Sequence, residues 1–497
     1  MSASRRRILI ASSEIFPLAK TGGLADATAA LAAALSALGQ DVHLVMPAYT
    51  QALESVVDLE PALSLPSING QDEGLILAGR MPDSGVPVKL IDLPKMYRDG
   101  GCLYVDAAGN ERPDNPQRFA ALAHAITHLA LGEIGPAPFD LVHCNDWHTG
   151  LVPLLLKARS KQPPATLFTI HNIAFQGLCP LDLLPDLGVA PPDGRLDRLE
   201  FYGQASFLKA GLEYADELTT VSPRYAEEIQ TPEFGFGLEG LIRARREQLT
   251  GILNGIDTTI WSPLRSPWIP ARYGPDALAG KLVCKQALQR ELGLNDNPTA
   301  PLMSFIGRLT WQKMADVLLE VVAPYLAAEA DRQFALLGNG DRHIEDAYRH
   351  LAEAFPGRVS VNIGYTEEEA HRLHAGSDLL IHGSRFEPCG LTQLYAMQFG
   401  TVPIVRPVGG LADTVVDASA ETLASATATG FYFIEPTAEA MLAGIDRAIA
   451  LYRQPHAWQR LQRTAMNQVF SWEVSAQSYL RVYERALARC ADATAPE

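Results

Sequence analysis

From Arg7 onward the first half of the chain keeps returning to one pattern: a short β-branched or apolar run, a turn with Gly, Asn or Asp, then a helical stretch. The runs are Arg7 to Ala11, Asp41 to Val45, Leu141 to Cys144, Thr166 to Ile170, Glu217 to Val221 and Leu249 to Leu253. Such alternation implies a parallel sheet covered by helices on both faces. Between Asn254 and Lys281 it lapses into a turn-rich connector holding Pro263, Pro267, Pro270, Gly274 and Pro275. Strand-like runs then resume at Leu302 to Ile306, Gln333 to Leu337, Val359 to Ile363, Leu379 to His382 and Val402 to Val405. A chain of 497 residues also exceeds one ordinary core, which stops growing at roughly 250 to 300 residues. The expectation is an α/β chain with two Rossmann-like doubly wound domains, residues 1–253 and 254–470, and a last segment, 471–497. Its helical pattern, from about Trp472 to Ala488, either crosses back onto the first domain or closes the second. Open sheets bind ligands at the carboxyl ends of their strands, so a cleft between the two domains is the expected active site.

Composition narrows the partners. With 47% hydrophobic and 20% charged residues, and Gly and Pro spread along the chain, the sequence is that of a globular protein. The run from Ile8 to Ala11 is broken by Ser12, Ser13 and Glu14 before a signal-peptide core forms. No stretch approaches the roughly 18 apolar residues that cross a bilayer. Cys102, Cys144, Cys179, Cys284, Cys389 and Cys490 are scattered without metal-ligand spacing, so reduced thiols in a cytoplasmic protein are expected. A net charge of −16 argues against nucleic acid and against anionic membranes as partners. An anionic substrate must then be met locally, by a few basic groups beside glycine-rich turns.

Three segments offer this. Lys20-Thr21-Gly22-Gly23-Leu24-Ala25-Asp26 follows the first strand and opens a helix. Its glycines allow close backbone approach, the helix N-terminus offers free N–H groups to an anion, and Lys20 adds a charge. The plainer reading is a strand-to-helix turn with a solvated Lys. Gly307-Arg308-Leu309-Thr310-Trp311-Gln312-Lys313 follows the first strand of the second domain. There Arg308 and Lys313 suit a diphosphate whose negative charge grows as a bond to it breaks. In Ser384-Arg385-Phe386-Glu387-Pro388-Cys389-Gly390-Leu391-Thr392, Pro388 and Gly390 set a tight turn. The amides of Gly390, Leu391 and Thr392 would form a helix's first turn aimed at phosphate, leaving Glu387 for sugar hydroxyls.

His143-Cys144-Asn145-Asp146-Trp147-His148 and Thr169-Ile170-His171-Asn172 also end strands. His143, His148 and His171 can be read as metal ligands, but phosphates held by Lys and Arg need none, and no metal or other cofactor is expected. A core role suits His143 or His148, whereas His171 is the better cleft residue.

In this order, and across almost the whole length, these motifs closely resemble bacterial glycogen synthases and plant starch synthases. Further matching stretches are Glu14-Ile15-Phe16-Pro17, His171 to Gly177, Ser206 to Lys209, Thr220 to Pro223, Asn254 to Asp257 and Gly409 to Thr414. The resemblance implies the glycosyltransferase B-type fold, a C-terminal helix returning to the first domain, ADP-glucose as donor and an α-1,4-glucan such as glycogen as acceptor. It implies that Arg308 and Lys313 clamp the diphosphate, with Gly23 and the amides after Cys389 assisting, and that Lys20 lies near phosphates and sugar. By the same resemblance His171, Asn254, Asp146 and Glu387 contact glucose and Tyr365 stacks on the base. Gly22, Asp26 and Asn145 complete the expected site. Met314 and Val408 depart from the glycine and threonine usual at their positions.

The implied reaction retains the α configuration. Retaining glycosidases use two adjacent carboxylates, and no convincing pair is visible, since Asp146 and Glu387 fall in different domains. The expectation is front-face transfer, with the leaving diphosphate oxygen taking the acceptor's proton. The rivals are the same chemistry with UDP-glucose, a catalytically silent glucan-binding protein, and a dinucleotide-dependent oxidoreductase. The last lacks the fingerprint glycines.

Overall fold

The computed structural model describes residues 5–67, 73–98, 102–106, 110–135 and 137–494. It divides into two compact units, Met1–Gly255 with Trp472–Glu497, and Ile256–Ser471. The division runs after Gly255 rather than after Leu253, so Asn254 belongs to the first unit.

The first unit is built on strands β1 (Arg7–Ala11), β2 (Asp41–Pro47), β3 (Val57–Leu65), β4 (Gly74–Arg80), β5 (Pro87–Asp92), β6 (Leu141–Asn145) and β7 (Ala165–Ile170). A small antiparallel sheet of β8 (Leu178–Pro180), β9 (Glu200–Phe201) and β10 (Gln204–Ser206) comes next, then β11 (Glu217–Thr220) and β12 (Leu249–Gly251). The main sheet has the order β12-β11-β7-β6-β1-β2-β5-β4-β3. β6 and β7 are buried along their whole length, as befits parallel strands covered on both faces. The expected all-parallel sheet needs one correction, because β4 pairs antiparallel with both β3 and β5. The connections there are too short for a crossover helix, so the chain must reverse. β3 is largely exposed and carries Pro61 and register shifts, the devices that protect a sheet edge.

The last helix, Trp472–Thr494, belongs to this unit and buries Trp472, Ala476, Tyr479, Val482, Tyr483 and Ala486 in its core. Arg485 and Arg489 reach the fully buried Glu217 at the start of β11. In β6, His143 holds the same helix: its Nδ1 lies 2.9 Å from the Tyr483 hydroxyl and its Nε2 2.6 Å from Thr169 Oγ1. Burial pushes its pKa down from 6.5 to about 3. The unfolded chain therefore binds a proton near pH 6.5 that the folded one refuses until about pH 3. The contribution of His143 to stability is full above that window and is lost as pH falls through it. His143→Gln is expected to flatten the fall of melting temperature across this range relative to the wild type. Parallel curves would show that His143 is not buried neutral.

The second unit is one parallel sheet of β13 (Leu302–Ile306), β14 (Gln333–Gly338), β15 (Val359–Ile363), β16 (Leu379–His382), β17 (Val402–Val405) and β18 (Phe431–Tyr432). Its order, β15-β14-β13-β16-β17-β18, is the 3-2-1-4-5-6 of the dinucleotide-binding fold, whose switch point lies between the first and fourth strands. The turn-rich connector is part of this unit's core: Trp261 stacks between His371 (4.2 Å) and Tyr395 (3.7 Å). Beside it Lys281 is buried against the carbonyls of His374, Ala375 and Phe399 and the hydroxyl of Thr401. Burial, outweighing the pull of the Asp378 carboxylate, pushes its pKa down to about 7.

Candidate active site

In the second unit the switch point falls between β13 and β16, and both expected segments leave those strands there. The loops are laced together. Arg385 makes a two-pronged ion pair with Asp316 (2.9 and 2.8 Å), its amide donates to the Gln312 carbonyl (2.9 Å), and its guanidinium lies 4.5 Å from the Trp311 ring. Arg385 is thus a brace between loops. Arg308 is exposed, with no side-chain partner among the described residues. Lys313 forms a close ion pair with Glu387 Oε2, which also accepts from Ser384 Oγ (2.8 Å) and lies 3.2 Å from His382 Nε2. Burial alone would raise the pKa of Glu387, but Lys313 and His382 outweigh it and hold the carboxyl well below its usual range. Glu387 is ionised, pre-aimed and almost dry, at 6% exposure.

The helix after Gly390 begins at Thr392, so the amides of Gly390 and Leu391 precede its first turn instead of forming it. Gly390 has φ +71°, and Gln393 ties the loop by donating to the carbonyls of Cys389 (3.2 Å) and Gly390 (3.0 Å). Cys389 is buried and Tyr365, just past the end of β15, is exposed. Gly409 and Gly410 brace this loop from behind: a Cβ there would fall 1.9 Å from the Glu387 carbonyl oxygen and 2.1 Å from that of Cys389. Sequence reasoning had left these glycines, Ser384 and His382 out of the site, although Gly409-Gly410 stood among the matching stretches. Met314 sits at φ +53°, which explains why glycine suits the position. Its strain, of about 1–3 kcal/mol, is offset by a side chain wholly inside the core, where Gly383 leaves it room.

In the first unit the switch point lies between β1 and β6. Glu14 emerges from β1 with 3% exposure and accepts from the Thr21 amide and from its hydroxyl (2.9 Å). Burial, against those hydrogen bonds, pushes its pKa up to about 7. Lys20 is not an unpaired cation: its Nζ lies 2.8 Å from Asp26 Oδ1 and 5.0 Å from the Phe16 ring centre. Gly22 caps the helix Gly23–Ala37, and Asp26 lies in its first turn.

Asp146 follows β6 with a positive φ of +57°, and its Oδ1 accepts from the amides of His171 (2.8 Å) and Asn172 (3.3 Å). Its pKa is pushed up to about 7, chiefly by burial and secondarily by Glu14. Asn145 Oδ1 lies 2.9 Å from His171 Nε2, while its Nδ2 donates to the Ala11 carbonyl at the end of β1 (3.1 Å). Enclosure keeps His171 neutral, with its pKa near 3. Asn254 is buried, and its Oδ1 has no partner among the described residues. The structure thus brings Asn145, Asp146 and His171 together, and adds Glu14 and Tyr104, whose hydroxyl lies 2.6 Å from Ser13 Oγ. His148 stacks on Tyr104 at 4.5 Å within an aromatic cluster. Among the described residues no group of three or more His, Cys, Asp or Glu is placed to hold a metal ion, and no helix is long and apolar enough to cross a membrane.

Known proteins share this arrangement of motifs. The family described as starch synthase catalytic domain matches residues 7–244, and glycosyl transferases group 1 matches residues 288–464. Glycogen synthase from Burkholderia thailandensis is 51% identical over 96% of this chain and 90% of its own length. Glycogen synthase 1 from Methylococcus capsulatus is 47% identical over 97% of each. The chain belongs to the glycogen synthase family. It is therefore a glycosyltransferase. The catalytic domain of starch synthase IV from Arabidopsis thaliana, solved with ADP and acarbose, superposes with a TM-score of 0.88 at 31% identity, covering 98% of this chain and 100% of that one. Sucrose-phosphate synthase from Thermosynechococcus elongatus, at 19% identity and a TM-score of 0.60, shares the fold. That fold is the glycosyltransferase B type, and in this chain both sheets present their charged groups at a switch point.

Proposed function

We propose that the chain transfers glucose from ADP-glucose to the non-reducing end of an α-1,4-glucan, with retention of configuration. The observation that carries this is the placement, at the switch point of the second unit, of two cations, exposed Arg308 and half-buried Lys313, with Lys313 paired to the buried carboxylate of Glu387. Two cations serve a diphosphate, and an ionised carboxylate that cannot be hydrated serves sugar hydroxyls. The starch synthase relative solved with ADP supports adenine as the base, stacked on Tyr365. Cys389, Gly390, Leu391 and Thr392 line the phosphate end. In the first unit Lys20, Gly22, Gly23 and Asp26 serve the phosphates and sugar, and Asn145, Asp146, His171 and Asn254 the glucose.

As the bond from the anomeric carbon to the diphosphate oxygen breaks, Arg308 and Lys313 take up the growing negative charge. The freed oxygen accepts the proton of the acceptor's 4-hydroxyl, whose oxygen bonds to the anomeric carbon on the face just vacated. Glu387 enters the step unprotonated, because Lys313 and His382 hold it ionised. Asp146, committed to two backbone amides, orients the His171 turn and is not the nucleophile of a glycosidase-like pair. A donor panel with glycogen as primer tests the reading: kcat/KM with ADP-glucose is expected to exceed that with UDP-glucose by about tenfold or more. Equal use of both, or a preference for UDP-glucose, contradicts the assignment of the base.

A further inference from the structure

Three groups able to donate converge on one oxygen, Glu387 Oε2: the Lys313 ammonium, the Ser384 hydroxyl at 2.8 Å, and His382 Nε2 at 3.2 Å. The same ring nitrogen lies 3.4 Å from Lys313 Nζ. A single imidazole nitrogen cannot serve both neighbours at once, because it needs a proton to donate to the carboxylate and a bare lone pair to accept from the ammonium. The other nitrogen, Nδ1, is buried with no partner among the described residues. No neighbour therefore fixes the tautomer, an uncommon state for a ring only 5% exposed. Strand β16 supplies the position: Leu379, Leu380 and Ile381 are core residues, and His382 is the first side chain beyond them to meet polar groups.

We propose that His382 is a positioning residue that takes over Glu387 Oε2 when a substrate phosphate draws the Lys313 ammonium away. The exchange rests on the diphosphate reading of Lys313. With Lys313 on the carboxylate, Nε2 is bare and faces the ammonium. When Lys313 turns to the phosphate, solvent delivers a proton to Nε2 and takes up the one on Nδ1, and the resulting Nε2–H donates to Oε2, so the carboxylate stays charged and keeps its aim with Ser384 as second donor. Without the imidazole, releasing Lys313 would leave a buried anion with a single hydroxyl partner, a costly state. The ammonium would then stay on Glu387, and the leaving diphosphate would lose its help.

Glucose incorporation into glycogen from ADP-glucose and from UDP-glucose reads the effect. His382→Leu is expected to lower kcat by about tenfold, in line with one hydrogen bond to a charged group, while the donor KM and melting temperature stay near wild type. His382→Gln, whose terminal N–H reaches the place of Nε2, is expected to restore most of the turnover. Should leucine unfold the protein, His382→Asn, one bond too short, takes its place with the same expected loss. Full turnover in the Leu variant, or equal losses in folded Leu and Gln variants, overturns the exchange. Lys313→Ala measured alongside separates the two layers. If it loses turnover while His382→Leu keeps it, only the exchange fails; if Lys313→Ala keeps turnover, the diphosphate reading falls and the exchange with it.

Discussion

Lys313→Ala is expected to lower kcat by about a hundredfold at saturating donor, because one charge-assisted contact to a leaving group contributes on the order of 3 kcal/mol to the transition state. Lys313 ends the loop from β13 at the switch point, its side chain is 16% exposed, and its Nζ is already beside Glu387. A charge so poorly hydrated acts more strongly on a phosphate than a surface lysine does. The same change removes the main counter-charge of a buried carboxylate, so stability should fall as well, by about 3 kcal/mol. Turnover must therefore be compared at a temperature where both proteins are folded, checked by circular dichroism. Unchanged kcat would mean that Lys313 only neutralises Glu387.

Glu387→Gln is the second large effect. The amide keeps the shape but loses the charge that Lys313, His382 and Ser384 all address. Turnover should drop about a hundredfold, and stability at neutral pH by about 3 kcal/mol, since an ammonium is left beside a neutral group. A pH signature accompanies it. The folded pKa of Glu387 lies below its unfolded value of 4.5, so its contribution is complete above that value and is lost as pH falls beneath it. Thermal unfolding of the wild type should show this acid loss and the Gln variant should lack it. An equally steep acid limb in both would place the loss elsewhere.

Much of the fold was legible because parallel strands buried on both faces read as short apolar runs ended by turns. The runs proposed for β1, β13, β15, β16 and β17 coincide with the strands. The antiparallel edge was not legible. β3 is mostly exposed and has no continuous apolar run; Val57, Leu59, Leu63 and Leu65 alternate with polar or small residues, but Pro61 in their midst argues against a strand until it is seen at a sheet edge. The connector read as turns because of its prolines, and the stacking of Trp261 on residues more than a hundred positions away leaves no local trace.

The cation loops were legible from residue type and from their place after strands. What surrounds them was less so. The pairing of Lys20 with Asp26 needs the helical turn to bring the two side chains together. His382 reads as the polar end of a strand until the turn at Ser384 folds Glu387 back onto it. Glu14 is acidic in sequence, yet only burial shows that its carboxyl is pushed up to about 7.

A diphosphate site made by Arg308 and Lys313 is measurable by calorimetric titration of ADP and AMP into the wild type, Arg308→Ala and Lys313→Ala. Each substitution is expected to weaken ADP by about tenfold, as the loss of one charge-assisted hydrogen bond implies, and to leave the weaker binding of AMP unchanged. Binding of ADP to Lys313→Ala and Arg308→Ala as tight as to the wild type would contradict it.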